Sequence, residues 1–160
     1  MTQATADLFD RFGDRIQVVE PVFRDFGARK NFSGPIATVK VFEDNTLVRA
    51  ELETPGENRV LVVDGGGSLR CALVGDLLAQ LAIDNNWAGL VLFGCIRDSA
   101  VINGMDIGIK ALNTSPAKSA KRGEGQRNIC VRFASTTFAP GAFIYADEDG
   151  IVIADRELKN

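Results

Sequence analysis

Histidine is absent from all 160 residues. That absence alone removes the Ser-His-Asp and Cys-His arrangements, the HExxH zinc site and any imidazole proton shuttle. Any chemistry must fall to carboxylates, Arg, Lys, Ser, Thr, the single tyrosine Tyr145, backbone dipoles, or a metal on oxygen ligands. Mg²⁺ and Mn²⁺ are the cations that suit such ligands. Cysteine is scarce as well. Cys71, Cys95 and Cys130 lie far apart, are odd in number and form no CxxC pair. Neither a zinc knuckle nor a disulfide framework is indicated, and reduced, mostly buried thiols are expected. Long apolar runs are missing too, none approaching the roughly 20 residues that span a bilayer. Residues 1–14 lack the basic and apolar regions of a signal peptide, so a cytoplasmic location is expected. Net positive charge is also lacking: 18 Lys and Arg stand against 21 Asp and Glu, a formal charge of −3. That balance speaks against a nucleic-acid surface and leaves room for protein partners, or for small anions reaching a local positive site.

What is present is the composition of one globular domain spanning residues 1–160, with 46% hydrophobic residues to fill a core. Residues 4–13 read as a short helix stopped by Gly13. Residues 35–42 (PIATVKVF) alternate like a half-buried strand, and 45–52 look helical before the turn signal Pro55-Gly56. Two continuous apolar runs, 59–63 (RVLVV) and 89–93 (GLVLF), have the length and Val/Leu content of strands covered on both faces. Between them, Leu77, Leu78, Leu81 and Ala82 form a helical stripe within 69–87, completing a strand–helix–strand unit. A second unit follows, with a short helix near 100–103 and a strand at 107–112. The last third is β-rich, with strands at 129–133, 142–145 and 151–153 separated by Pro140-Gly141 and Asp149-Gly150. The class is mixed α/β.

Three clusters could carry chemistry. The turn Asp64-Gly65-Gly66-Gly67-Ser68 follows a strand and invites a nucleotide reading, but neither GK[ST] nor GxGxxG is present. A loose likeness to the acid-then-glycines loop of methyltransferases fails on glycine spacing, and a tight strand–helix turn explains the glycines. Lys118, Lys121, Arg122 and Arg127 sit in a polar stretch that could touch phosphate or an acidic partner, or simply be a solvated loop. The third cluster is Gly75-Asp76-Leu77-Leu78 followed, after 20 residues from Asp76, by Arg97-Asp98. The Arg-Asp pair falls just past an apolar strand, where open α/β sheets place ligand groups. An ion pair capping the next helix is the structural alternative.

Several segments resemble the family of the regulator of ribonuclease activity A and the 4-hydroxy-4-methyl-2-oxoglutarate aldolases. They are VVEPVFRDFG (18–27), FSGPIATVKVFEDN (32–45), RVLVVDGGGSLRCALVGDLLAQLA (59–82), GLVLFGCIRD (89–98), DIGIKAL (106–112) and TFAPGAFIYADEDGIVI (137–153). The family's Asp, 20-residue spacer, Arg-Asp signature matches Asp76, Arg97 and Asp98. The resemblance implies a β/β/α sandwich of the swivelling-domain type, assembled as a homotrimer with sites between subunits. It implies that Asp98 holds Mg²⁺ or Mn²⁺, partly through waters. Arg97 would contact substrate and stabilise enolate charge, and the amides of Gly75, Asp76, Leu77 and Leu78 would grip a substrate carboxylate. A 2-oxo acid would chelate the cation through its carboxylate and keto oxygens, and pyruvate enolate would form as a carbon–carbon bond breaks. Longer aldolases of the family draw an acidic residue from a neighbouring subunit's C-terminal extension. That residue has no match here; Asp147, Glu148 or Asp149 could replace it, or form a turn. Aldol cleavage needs a base for the C4 hydroxyl and oxaloacetate decarboxylation does not, so the resemblance implies decarboxylation more directly. A second activity implied by the family is non-catalytic inhibition of endoribonuclease E, for which an acidic surface suits a basic partner. The regulator branch, as the resemblance runs, lacks the Arg-Asp pair.

Overall fold

The apolar runs near 60 and 90 are the central strands of a computed structural model that describes residues 3–159. In chain order the elements begin with α1 (Thr5–Phe12), β1 (Gln17–Val18), β2 (Arg24–Phe26), β3 (Phe32–Lys40), α2 (Thr46–Leu52) and β4 (Val60–Asp64). Next come β5 (Ala72–Val74), α3 (Asp76–Asp84), β6 (Gly89–Ile96), α4 (Ser99–Ile102) and β7 (Ile109–Thr114). The chain closes with β8 (Gln126–Arg127), β9 (Val131–Phe133), β10 (Thr136–Phe138), β11 (Phe143–Asp147) and β12 (Gly150–Ala154).

The main sheet runs β1-β12-β11-β3-β4-β6-β7-β2, with β5 beside β6 and β8 beside β3. Its centre is parallel: Ile36 faces Val60, Val60 faces Gly89, and Leu90 faces Ile109. Its flanks are antiparallel: β11 and β12 form a hairpin to which β1 adds, and β2 pairs with β7 at the other edge. Alternation along β4 explains the layers. Leu61 and Val63 face a cluster with Val48 and Leu52 of α2 and Leu78, Ala79 and Ala82 of α3. Val60 and Val62 face the other way, into Ile144, Ile151, Ile153, Phe133 and Phe138. Helices α2, α3 and α4 therefore cover one face and β-structure the other, a mixed α/β fold with a curled sheet and a β/β/α layering, while α1 packs on β11 and β12. Because both faces of β3 are covered, it is almost wholly buried rather than half-buried, and it starts at Phe32 instead of residue 35.

Other boundaries shift for local reasons. The helical stripe expected across 69–87 is broken, since Ala72–Val74 pairs in parallel with β6 and the helix starts only at Asp76. The run at 89–93 continues to Ile96, and the strand expected at 107–112 lies at Ile109–Thr114. β1, β2 and β8 are two or three residues long and carry too little pattern to be read. β9 and β10 form a separate small sheet under the hairpin face.

Two tertiary links close the molecule. Lys110 on β7 is buried, and its Nζ donates to the Asp147 carbonyl at 2.6 Å and pairs with Asp25 at 2.6 Å. The carboxylate of Asp147, at the β11–β12 turn, accepts the Thr5 amide (2.8 Å) and hydroxyl (2.7 Å) and so caps α1. Burial opposes charge on Asp147, but these bonds and the amides of Asp149 and Gly150 outweigh it and hold its pKa below the ordinary value. The acidic turn 147–149 is thus a hairpin turn and a helix cap within this chain. No helix among the described residues is long and apolar enough to cross a membrane.

Candidate active site

β5 and β6 lie side by side and parallel, and each feeds a helix at the same edge of the sheet. β5 ends at Val74 and Gly75 leads into α3. β6 ends at Ile96, and Arg97 stays tied to β5 through its amide, which donates to the Val74 carbonyl (2.9 Å). Register slips occur here in both ladders, between Leu92 and Cys95 against β7 and between Ala72 and Val74 against β6. Such irregularities re-aim side chains where a strand ends. Asp98 adopts a left-handed conformation (φ 58°), which turns the chain sharply into α4.

Asp98 stands at the N-cap position of α4 yet makes no side-chain cap bond there, and no ion pair joins it to Arg97 among the described residues. Instead its Oδ2 reaches across to the other helix and accepts the Asp76 amide at 3.1 Å. The structural alternative for the Arg-Asp pair therefore does not hold. Gly75 makes the arrangement possible: a Cβ there would lie 2.7 Å from Asp98 Oδ2 and 3.4 Å from Arg97 Cγ. Of the four amides at 75–78, that of Asp76 is already engaged, whereas those of Leu77 and Leu78 have no partner among the described residues. Unpartnered amides at the positive end of a helix dipole suit an anion.

All six residues of the third cluster, Gly75, Asp76, Leu77, Leu78, Arg97 and Asp98, line one cavity of about 120 Å³. Leu77 stands 76% exposed, while Leu78 is buried in the core that α3 shares with α2 and the central strands. The cavity also takes Asn45, Arg49, Lys118, Ser119 and Lys121 from elsewhere. The basic stretch is therefore split. Lys118 and Lys121 reach this cavity, Arg122 lines a neighbouring one of about 350 Å³, and Arg127 pairs with Glu51 at 2.7 Å. Sequence reasoning missed the part these lysines take, because what delivers them is long-range. Lys118 bridges to Ala72 and Ala120 to Asp44. Asp44, buried, accepts the amides of Arg122 (2.7 Å) and Glu124 (3.3 Å) and both the amide (2.9 Å) and hydroxyl (2.8 Å) of Thr46. Burial alone would raise its pKa, but these four bonds dominate and lower it to about 2.

A metal's fit to the donors can be judged directly. No three Asp, Glu, Cys or His side chains gather as a ligand group among the described residues. Asp98 offers one carboxylate oxygen, Oδ1, that carries no hydrogen bond among the described residues. One free hard oxygen fits a cation that keeps most of its waters and takes the rest from substrate, the habit of Mg²⁺, and does not fit an all-protein cage. The glycine turn offers less. The Gly66 amide donates to Asp64 Oδ1, Gly67 to the Phe93 carbonyl and Ser68 to the Gly65 carbonyl, so these amides are not free to cradle phosphate. The turn leads into a loop and β5 rather than directly into a helix, and Gly66 and Gly67 take φ of +68° and +75° to make it. Cys71 and Cys95 are buried, which pushes both thiols up, and Cys130 is exposed.

Residues 2–153 match the RraA-like family described as Aldolase/RraA. The chain belongs to that family. A relative from Alkalilimnicola ehrlichii with the provisional name 4-hydroxy-4-methyl-2-oxoglutarate aldolase is 56% identical, covering 99% of this chain and 98% of its own. The structure of the RNA-processing inhibitor RraA from Thermus thermophilis is 41% identical, with a TM-score of 0.96 over 100% of this chain and 97% of that one. A Geobacillus kaustophilus structure named as an S-adenosylmethionine: 2-dimethylmenaquinone methyltransferase is 52% identical, with a TM-score of 0.96 over 99% of both chains. The RraA-like fold is thus shared by proteins bearing three different functional names, and the site has to decide among them.

Proposed function

We propose that this RraA-like protein is a divalent-metal lyase that cleaves 2-oxo acids through a pyruvate enolate. The carrying observation is the convergence of Arg97, Asp98 and the start of α3 on one cavity, where the amides of Leu77 and Leu78 have no partner among the described residues. Asp98 would hold Mg²⁺ or Mn²⁺ largely through waters, and the cation when bound would act as a Lewis acid toward the keto oxygen. The amides of Leu77 and Leu78 would bind the C1 carboxylate and fix its orientation. Arg97, whose side chain has no partner among the described residues, would sit where charge develops as the C3–C4 electron pair moves into the C2 carbonyl. In decarboxylation of oxaloacetate the C4 carboxylate leaves as CO₂. In aldol cleavage the C4 hydroxyl must lose its proton as the bond breaks, and Asp147, whose carboxylate is occupied as the cap of α1, is not free to take it. Assembly as a homotrimer belongs to the same proposal, and light scattering on the purified protein tests it.

Pyruvate release from oxaloacetate and from 4-hydroxy-4-methyl-2-oxoglutarate, with Mg²⁺ or Mn²⁺ and again with chelator, tests the reading. Metal-dependent release is expected from both, faster from oxaloacetate. Absence of release by folded protein would sink it.

A second reading, inhibition of endoribonuclease E, is favoured by the 41% identity to the Thermus inhibitor. A cleavage assay with that nuclease distinguishes the two. Inhibition by wild type and Asp98→Ala alike would assign regulation to a surface separate from the cavity.

A further inference from the structure

Whichever carbon–carbon bond breaks, an enolate remains whose C3 must gain a proton, and transfer to carbon is helped by a positioned acid. The side chains lining the cavity allow few donors. Arg49 and Arg97 carry guanidiniums that keep their protons, and the carboxylates of Asp76 and Asp98 accept protons rather than give them. The Ser119 hydroxyl is too weak an acid to supply one. Two ammonium groups remain, those of Lys118 and Lys121, and they are held differently. Lys121 Nζ donates to the Asn45 side-chain oxygen at 3.1 Å. The Lys118 side chain has no hydrogen bond or ion pair among the described residues. Its backbone, by contrast, is fixed on both sides. Lys118 bridges to Ala72 at the start of β5, and the Ala72 amide donates to the Ala117 carbonyl (2.8 Å). Beyond it the Ala120 amide donates to the Glu43 carbonyl (2.8 Å). Lys118 is exposed, so its head group meets both the cavity and solvent. A pinned backbone carrying an unpaired ammonium suits a group that gives up a proton and recovers one from water.

We propose that the ammonium of Lys118 is the general acid that protonates C3 of the pyruvate enolate. This rests on the lyase reading of the same cavity. The C2–C3 electron pair of the enolate takes a proton from Lys118 Nζ. A C3–H bond forms, the N–H bond breaks, and the C2 carbonyl is restored. The neutral amine left behind regains its proton from water. In reverse, the neutral amine removes a methyl proton from bound pyruvate.

That reverse step supplies the test. Exchange of the pyruvate methyl protons in D₂O with Mg²⁺, followed by NMR, reads proton transfer at C3 without any carbon–carbon cleavage. Lys118→Arg keeps the positive charge but cannot give or take the proton, and is expected to slow exchange by about 100-fold. Release of CO₂ from oxaloacetate should fall by a smaller factor, since that bond breaks before C3 is protonated. Oxalate shares the enolate's chelating oxygens and has no carbon to protonate. Its affinity for the protein with Mg²⁺, measured by calorimetry, should be the same for wild type and Lys118→Arg. Exchange by Lys118→Arg at the wild-type rate overturns the assignment, as does a greater loss in Lys121→Arg. Weakened oxalate binding that accounts for the slower exchange also overturns it, because Lys118 would then only bind. Wild type that releases CO₂ in a metal-dependent way yet exchanges no methyl protons overturns the role of Lys118 and leaves the lyase reading standing. Neither release nor exchange overturns both.

Discussion

Asp98 is the residue on which most of the site's geometry depends, and Gly75 is what lets its carboxylate lie against the start of α3. Gly75→Ala would force Asp98 Oδ2 or the Arg97 stem aside, since the added Cβ would approach the carboxylate to 2.7 Å. Both side chains are exposed and can move outward, so the fold should survive. The expected outcome is an approximately 100-fold loss of pyruvate release with little change in melting temperature, because misplacement by about an ångström is enough to cost that much. Arg97→Lys keeps the charge but loses the planar fork. It should lower kcat by about 10²-fold with a smaller change in KM, the pattern of a group acting on developing charge. A variant with unchanged kcat would remove Arg97 from that role. The motif itself was legible: Gly75, Asp76, Arg97 and Asp98 stand at a spacing that a sequence can display. What a sequence cannot display is that Asp98 bonds the neighbouring helix rather than its own, because that follows from β5 pairing with β6.

Among the elements, the segment between β7 and β8 owes its course to one buried carboxylate. Asp44 anchors the amides of Arg122 and Glu124, and the stretch before them carries Lys118, Ser119 and Lys121 into the cavity. Its folded-state pKa of about 2 lies below the ordinary value of 3.8. A depressed carboxylate pKa contributes stability that is complete above the unfolded value and is lost as pH falls through the folded one. Thermal stability should therefore decline between about pH 4 and pH 2 in wild type. Asp44→Asn should be less stable at pH 6 by about 1–3 kcal/mol, since two loop amides lose a charged acceptor. The gap between the two proteins should close toward pH 2, and a gap independent of pH would contradict the assignment. The lysines themselves were visible as a basic stretch, yet only the pairings of Ala72 with Lys118 and of Asp44 with Ala120 bring them to Asp98. Each spans many residues and leaves no local pattern. The same limit hid β5, whose three residues read as the beginning of α3 until pairing with β6 separates them.

For the whole molecule, the parallel centre of the sheet was readable from the apolar runs of β4 and β6, and the hairpin face from its turn residues. The links of Lys110 to Asp25 and to the Asp147 carbonyl were not, because they join residues far apart in the chain. Lys110→Met should keep the apolar stem but leave the carbonyl and Asp25 without their cation. Asp25 is one-third exposed and can be rehydrated, so the loss should be about 2 kcal/mol, below the 3–5 kcal/mol typical of breaking a fully buried pair. In a domain of this size that corresponds to a fall of roughly 4–8 °C in Tm. No change in Tm would mean that the closure is held by packing alone. The three names carried by relatives of this fold also belong to this scale. The fold positions the cavity at the ends of β5 and β6, but the side chains in that cavity decide its chemistry.

The central claim is that Asp98 and its neighbours form a metal-dependent lyase site, and the most direct test is pyruvate release from oxaloacetate by wild type and Asp98→Ala at saturating Mg²⁺ or Mn²⁺. Circular dichroism should confirm that both proteins are folded. Metal-dependent release by wild type and its loss in Asp98→Ala is the expected result. Equal release by the two proteins would contradict the account.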